Sequence, residues 1–226
     1  MIPIRDENPT ENTPYVVYGF VGLNIVIFLF QSSLNRPQLV QFIQTWAVVP
    51  RELTASFVGV SGMGEWLTLI SSQFLHGGIL HLAGNMLFLW VFGNNIEDRL
   101  GPIKFIGFYL TCGIAAALAQ WVFSMTSGVP LVGASGAIAG VMGAYILKYP
   151  RVPVVTLVPL GFFITTIRLP AYFFLGIWFL QQAFFSFVSL NNSAMAAGGG
   201  VAYWAHAGGF LVGMALFPFL DRDDNL

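Results

Sequence analysis

Charge is scarce in this chain. Of its 226 residues, 8% are charged and 56% are hydrophobic, where an ordinary soluble domain carries about 25% charged residues. That excludes a single water-solvated core, because too much apolar surface would be left over. A bilayer removes the difficulty, since lipid solvates the outer faces of helices. The formal net charge of −1 supplies no basic field, so nucleic acid is excluded as a partner. The single cysteine, Cys112, lies in an apolar run. It has no mate for an internal disulfide and reads as a small buried hydrophobe. A basic leader is missing too. The first apolar run starts near Tyr15, after an acidic, proline-containing segment, so no cleavable signal peptide is expected. No repeat of solenoid period is present. Finally, no Asp or Glu occurs between Asp98 and Asp221, which denies an acid to any site built from the later segments.

What is present is a set of long apolar runs. Six spanning segments are expected, at about 15–31, 76–95, 103–125, 135–148, 170–189 and 203–220. The fold class is therefore an all-α polytopic membrane protein, a bundle of six transmembrane helices. Residues 1–14 form an N-terminal segment, 15–220 the bundle and 221–226 a C-terminal tail. Helices are the economical choice, because backbone groups in hydrocarbon must be satisfied internally and the runs do not alternate as barrel strands do. The connection 32–75 contains Phe42, Trp46, Val48 and Val49 in a mixed pattern that predicts a partly interfacial element. Ser135–Lys148 is short. At about 1.5 Å per residue it covers about 21 Å of a ~30 Å hydrocarbon core. The loop before it is expected to dip inward.

Six spans put both termini on one side. That side would hold Arg5, Arg99, Lys104, Lys148, Arg151, Arg168 and Arg222, and the other only Arg36 and Arg51. The positive-inside rule then places both termini in the cytoplasm, in a bacterial inner membrane or its equivalent.

Polar residues inside spans are costly, and four stand out as candidates. His81 and Asn85 are four apart on the second segment and share a helix face. Ser135 opens the fourth segment, within Gly133-Ala134-Ser135-Gly136. His206 stands near the start of the sixth. Segments two, four and six run in the same direction, and each carries its polar residue near its N-terminal end. All four residues therefore fall in one layer toward the outer side.

Their chemistry fits nucleophilic catalysis. A serine hydroxyl needs a base to take its proton, and imidazole titrates near neutrality. With no acid nearby, Ser135 and His206 are expected to act as a dyad, His206 being oriented by packing or by a non-acidic partner. Asn85 and His81 can donate to a developing oxyanion, as can the Ser135 backbone N–H at a helix N-terminus. The bland readings are a helix cap for Ser135 and interhelical hydrogen bonds for the rest. A metal site is disfavoured, because His76 and His81 are five apart and no cysteine or acidic cluster accompanies them. Gly136, Gly140 and Ala144 form a ridge of small residues, as do Ala205, Gly209 and Gly213. Such ridges let backbones approach closely in lipid. The aromatics Phe173, Phe174, Trp178, Phe179, Phe184 and Phe185 read as lipid-facing or packing residues, with a lateral gate for substrate as the alternative role for some of them. Gly198, Gly199 and Gly200 would permit a mobile cap.

Four segments in order carry a resemblance. They are His76-Gly77-Gly78-Ile79-Leu80-His81-Leu82-Ala83-Gly84-Asn85, then Asn95-Ile96-Glu97-Asp98-Arg99-Leu100-Gly101, then Gly133-Ala134-Ser135-Gly136, and Ala205-His206 with Gly208, Gly209 and Gly213. Together, across about 66–219, they resemble the rhomboid family of intramembrane serine proteases. The resemblance implies a six-helix bundle that cleaves transmembrane protein substrates without a cofactor. It implies Ser135 as nucleophile, His206 as general base, and His81 with Asn85 in the oxyanion hole. It gives His76 a structural role beside the first loop. Two departures stand out. Many members carry a Trp-Arg pair where this chain has Leu67 and Thr68, with Trp66 one place earlier. Some carry an aromatic four residues after the serine, where this chain has Ala139. Two other classes remain to be weighed: a catalytically silent rhomboid-like binder of membrane segments, and a channel or transporter. The presence of both Ser135 and His206 argues against the first. The lack of acidic residues in the last four spans argues against the second.

Overall fold

The computed structural model describes residues 1–57, 59, 62, 64–160, 163–190 and 202–221. The chain order is β1 (Ile2–Asp6), α1 (Tyr15–Ser33), α2 (Arg36–Trp46), α3 (Pro50–Phe57), α4 (Gly64–Ser71), a 3-10 turn (Ser72–Phe74), α5 (Ile79–Leu100), α6 (Pro102–Val122), α7 (Ser135–Lys148), β2 (Pro153–Leu160), β3 (Phe163–Pro170), α8 (Ala171–Leu190) and α9 (Tyr203–Leu220). Among the described residues, five helices (α1, α5, α6, α8 and α9) are long and apolar enough to cross a membrane, and α7 is a shorter apolar helix. The second expected segment is displaced. Its helix starts at Ile79 rather than His76 and continues to Leu100, because Gly77 and Gly78 precede it and Gly101, at φ +76°, ends it.

The expected all-α class needs one correction. Three antiparallel strands form a sheet in the order β1-β2-β3. Alternating β-branched residues such as Val154, Thr156 and Val158, between Pro153 and Pro159, favour extended backbone over helix. Strand β1 comes from the N-terminal segment and pairs Ile2 with Leu157. The start of α1 and the end of α7 are thus held at one end of the bundle. Burial raises the Asp6 carboxyl above its ordinary range, opposed by the hydrogen bond it accepts from Tyr145 (2.5 Å).

That end is tied together by the last turns of α5. Helix α1 begins after Pro14, which gives it no side-chain cap. Its orphan amides are taken instead by buried Glu97, which accepts from Val16 N–H (2.9 Å) and Val17 N–H (2.8 Å). A carboxylate there also suits the helix dipole. Asp98 accepts from the backbones of Glu11 and Asn12, and Asn95 donates to the Asn8 carbonyl. Arg99 pairs with Asp221 at the end of α9, and Lys148 reaches the same carboxylate at 2.8 Å.

The connection between α1 and α5 is mostly helical. Helix α2 starts with a capping box, in which Asn35 accepts from Gln38 N–H (3.0 Å) and donates its own N–H to Gln38 Oε1 (3.1 Å). Phe42 and Trp46 lie on α2, Trp46 exposed, as an interfacial element requires. Val48 and Val49 depart from that expectation. Both are buried, because Val48 pairs with Leu131 and carries the connection onto the loop before α7. Trp121 fastens the same region by donating to Thr54 Oγ1 (2.9 Å) and stacking on Phe57.

The core lies around α7, where every residue from Gly136 to Tyr145 is buried. Glycine makes this possible. A Cβ at Gly209 would stand 2.1 Å from the Gly136 carbonyl oxygen, and one at Gly213 would stand 2.0 Å from that of Gly140. A Cβ at Gly143 would meet the Phe210 oxygen at 2.1 Å. The two ridges of small residues therefore face each other with backbone against backbone. Gly209→Ala is expected to cost about 1–3 kcal/mol or more, because neither backbone can yield. Thermal unfolding in detergent checks this, with Gly22→Ala on the open face of α1 expected within about 0.5 kcal/mol of the parent.

Candidate active site

Ser135 is the first residue of α7. Its backbone N–H is one of the orphan donors of a helix N-terminus. The residues just before it are held by the long connection. Leu131 N–H donates to the Val48 carbonyl (2.8 Å), and Gly133 N–H donates to the Ser72 carbonyl (2.9 Å). Ala134 is fully buried. The loop expected to dip is thus tied to the long connection at Leu131 and Gly133 and becomes fully buried only at Ala134.

His206 lies one turn into α9, and its Nε2 stands 2.7 Å from Ser135 Oγ. The two belong to helices whose backbones touch at Gly136 and Gly209. Their chain positions are 71 apart, and only the glycine contact brings them within hydrogen-bond reach. The other ring nitrogen, Nδ1, lies 2.8 Å from Gln182 Oε1 on α8. Trp178, one turn earlier on α8, packs on the imidazole with ring centroids 5.7 Å apart.

His81 and Asn85 come from the first two turns of α5. Gly133, two residues before Ser135, is where they meet. A Cβ there would stand 2.8 Å from His81 Cε1 and Nε2 and 3.5 Å from Asn85 Nδ2. Gly133 also holds φ +126°, a conformation that other residues rarely adopt. Gly77 N–H makes a long hydrogen bond to His81 Nδ1 (3.4 Å), leaving Nε2 on the side of Gly133.

His76 precedes α5 and reaches this layer through Asn85, with His76 Nε2 2.9 Å from Asn85 Nδ2. An amide nitrogen only donates, so that ring nitrogen accepts, and the second amide hydrogen of Asn85 stays available. The backbone of His76 is itself gripped by Gln31 of α1. Gln31 Oε1 accepts from the His76 N–H (3.1 Å), and Gln31 Nε2 donates to the His76 carbonyl (3.2 Å). A chain of contacts therefore runs from α1 through His76 to Asn85.

The arrangement brings together all four singled-out polar residues, with His76 behind them. Gly133, Gly136 and Gly209 are the positions where a side chain would intrude. Three participants were not foreseen: Gln182, Trp178 in contact with His206, and Gln31. Gln31 and Gln182 are polar residues inside apolar runs, the very signal that marked the others. The aromatic ring beside His206 is thus supplied by Trp178 of α8, while Ala139 on α7 is fully buried. The triglycine of 198–200, expected as a cap, lies outside the described residues. So does Arg222.

Chemically, the layer holds a hydroxyl beside an imidazole, with amide, imidazole and backbone N–H groups converging on the same helix start. Those are the parts an acyl transfer uses. Comparison with known proteins identifies relatives. Residues 63–222 match the rhomboid domain. The chain is 36% identical over 135 residues to rhomboid protease GluP of Bacillus subtilis (strain 168), covering 58% of this chain and 24% of that protein. It is 28% identical over 204 residues to the mitochondrial rhomboid protein 1 of Saccharomyces cerevisiae, covering 88% of this chain and 51% of that one. It is also 31% identical over 139 residues to the human mitochondrial presenilin-associated rhomboid-like protein, covering 60% and 33%. The chain thus spans between about a quarter and a half of the length of these relatives.

Gly133→Ala is expected to push the His81 ring out of this layer and to destabilise the fold by about 1–2 kcal/mol. Thermal unfolding in detergent reads the loss. Gly84→Ala, where a Cβ meets open space, serves as the comparison and should be close to neutral.

Proposed function

This chain belongs to the rhomboid family, and on that premise we propose that it is an intramembrane serine endopeptidase acting on transmembrane protein substrates. The single observation that carries this reading is the 2.7 Å approach of His206 Nε2 to Ser135 Oγ. The six helices α1, α5, α6, α7, α8 and α9 would each cross the bilayer. Both termini would be cytoplasmic, with the sheet at the cytoplasmic end and Ser135 toward the outer side. Residues 15–220 would form the protease unit.

A substrate segment unwinds locally and offers its scissile carbonyl to Ser135. As Oγ attacks, its proton passes to His206 Nε2, and negative charge develops on the carbonyl oxygen. The Ser135 N–H, the free hydrogen of Asn85 and the His81 ring stabilise that charge. Removing one such donor typically costs about 3–4 kcal/mol in the barrier. The tetrahedral adduct collapses, His206 gives the proton to the leaving amine, and the acyl group stays on Ser135. Water, deprotonated by His206, then attacks the ester and frees the second fragment. Every step uses groups of this chain, substrate and water, and no cofactor is required.

Ser135→Ala is expected to abolish cleavage of a transmembrane reporter in proteoliposomes while leaving the unfolding temperature unchanged. Full retained cleavage would sink the reading. A fluorophosphonate probe should label the parent at Ser135 and fail to label His206→Ala.

A further inference from the structure

A histidine base has two ring nitrogens, and it works only if the proton sits on the one facing away from the nucleophile. In a water-filled site a carboxylate usually settles this. Here no Asp or Glu occurs between Asp98 and Asp221, and a buried carboxylate at this depth would itself be costly. Gln182 occupies the place. It is 7% exposed on a largely apolar helix, and its Oε1 lies 2.8 Å from His206 Nδ1. On the opposite edge of the same ring, Nε2 lies 2.7 Å from Ser135 Oγ. An amide oxygen only accepts hydrogen bonds. Nδ1 must then carry the proton, which leaves the Nε2 lone pair facing the serine hydroxyl.

Resting on the endopeptidase reading above, we propose that Gln182 is a positioning residue of this site, a neutral third member that holds His206 in the tautomer able to accept the Ser135 proton. When Oγ loses its proton to Nε2, the ring becomes doubly protonated. The Nδ1–H to Gln182 hydrogen bond persists, and the amide dipole faces the new positive charge. No proton passes to Gln182. The helix that carries it is arranged for this task. Trp178, four residues earlier and so on the same face, packs on the ring. Ser186 Oγ, four residues later, donates to the Gln182 backbone carbonyl at 2.8 Å and so does not compete for the side-chain amide. One face of α8 therefore supplies both the surface against which the imidazole lies and the acceptor that sets its proton.

The test uses the full chain in proteoliposomes, with a cleaved transmembrane reporter and with 15N-labelled histidine. Gln182→Met keeps length and removes the acceptor. It should lower kcat about tenfold or more, within the 10²–10⁴-fold worth of a general base, with KM unchanged. Gln182→Glu restores an acceptor and should recover most of the lost kcat. The His206 signal, identified by its loss in His206→Ala, should show a protonated Nδ1 and a bare Nε2 in the parent, and a mixture in Gln182→Met. A wild-type kcat in Gln182→Met would overturn the proposal. So would a parent His206 protonated at Nε2, or equal losses in the Met and Glu variants with the 15N signature unmoved, which would leave Gln182 a packing residue only. Cleavage that survives Ser135→Ala would overturn the endopeptidase reading instead, while the 15N measurement would still decide whether Gln182 sets the tautomer.

Discussion

Two helices in lipid gain nothing from hiding apolar side chains, because the tails around them are equally apolar. Their contact has to come from close packing. In this protein that requirement falls on α7 and α9. A carbon added at Gly209, Gly213 or Gly143 would overlap the Gly136, Gly140 or Phe210 carbonyl, and one added at Gly136 or Gly140 would overlap Ala116 or Cys112 of α6. The rest of the site depends on this. Ser135 sits one residue before Gly136 and His206 three before Gly209, so the interhelical spacing directly sets the Oγ to Nε2 distance. The third side of the wedge is α6, whose Ala116 and Ala119 abut Gly136 and Gly208. Small residues there keep the wedge from being pried open.

Polar residues of the bundle work in two layers. One layer surrounds Ser135 and is built from uncharged groups: hydroxyl, amide and imidazole. The other lies at the opposite end and is charged, with Glu97, Asp98, Arg99, Lys148 and Asp221 lacing α1, α5, α7 and α9 together. The segregation follows from solvation. A carboxylate is affordable where a helix N-terminus or a basic partner meets it near water, and it is expensive where the bundle is deepest. Gln182 in place of an acid is the same rule applied at the site itself.

Much of this was legible in the sequence, and the parts that were not share a cause. The lengths of the apolar runs located the helices. The common direction of three of them placed His81, Asn85, Ser135 and His206 in one layer before any coordinates. The glycine spacing foretold the close helix pair. The sheet is not evident from the sequence because β2 and β3 lie between apolar helices in an equally apolar stretch, and because β1 sits in the N-terminal segment with nothing local to mark its partner 150 residues away. Val48 and Val49 read as interfacial because their burial depends on Leu131, a contact invisible from either stretch alone. Gln182 and Gln31 were overlooked for another reason. Each is an amide in an apolar run, as Asn85 is, but no histidine stands one turn away in the sequence, as His81 does from Asn85, to mark it.

The pairing of β1 with β2 has a consequence for how the molecule is made. Residues 2–6 are synthesised before their partners at 154–157, which exist only after α1, α5, α6 and α7 have been made. The amides at the start of α1 likewise wait for Glu97. These are contacts of high sequence separation, the kind that form late because a long loop must close first. The N-terminal arm is therefore a latch that cannot shut until the chain has passed α7. Its closure reports that the helix carrying Ser135 has already been made, while the helix carrying His206 is still to come.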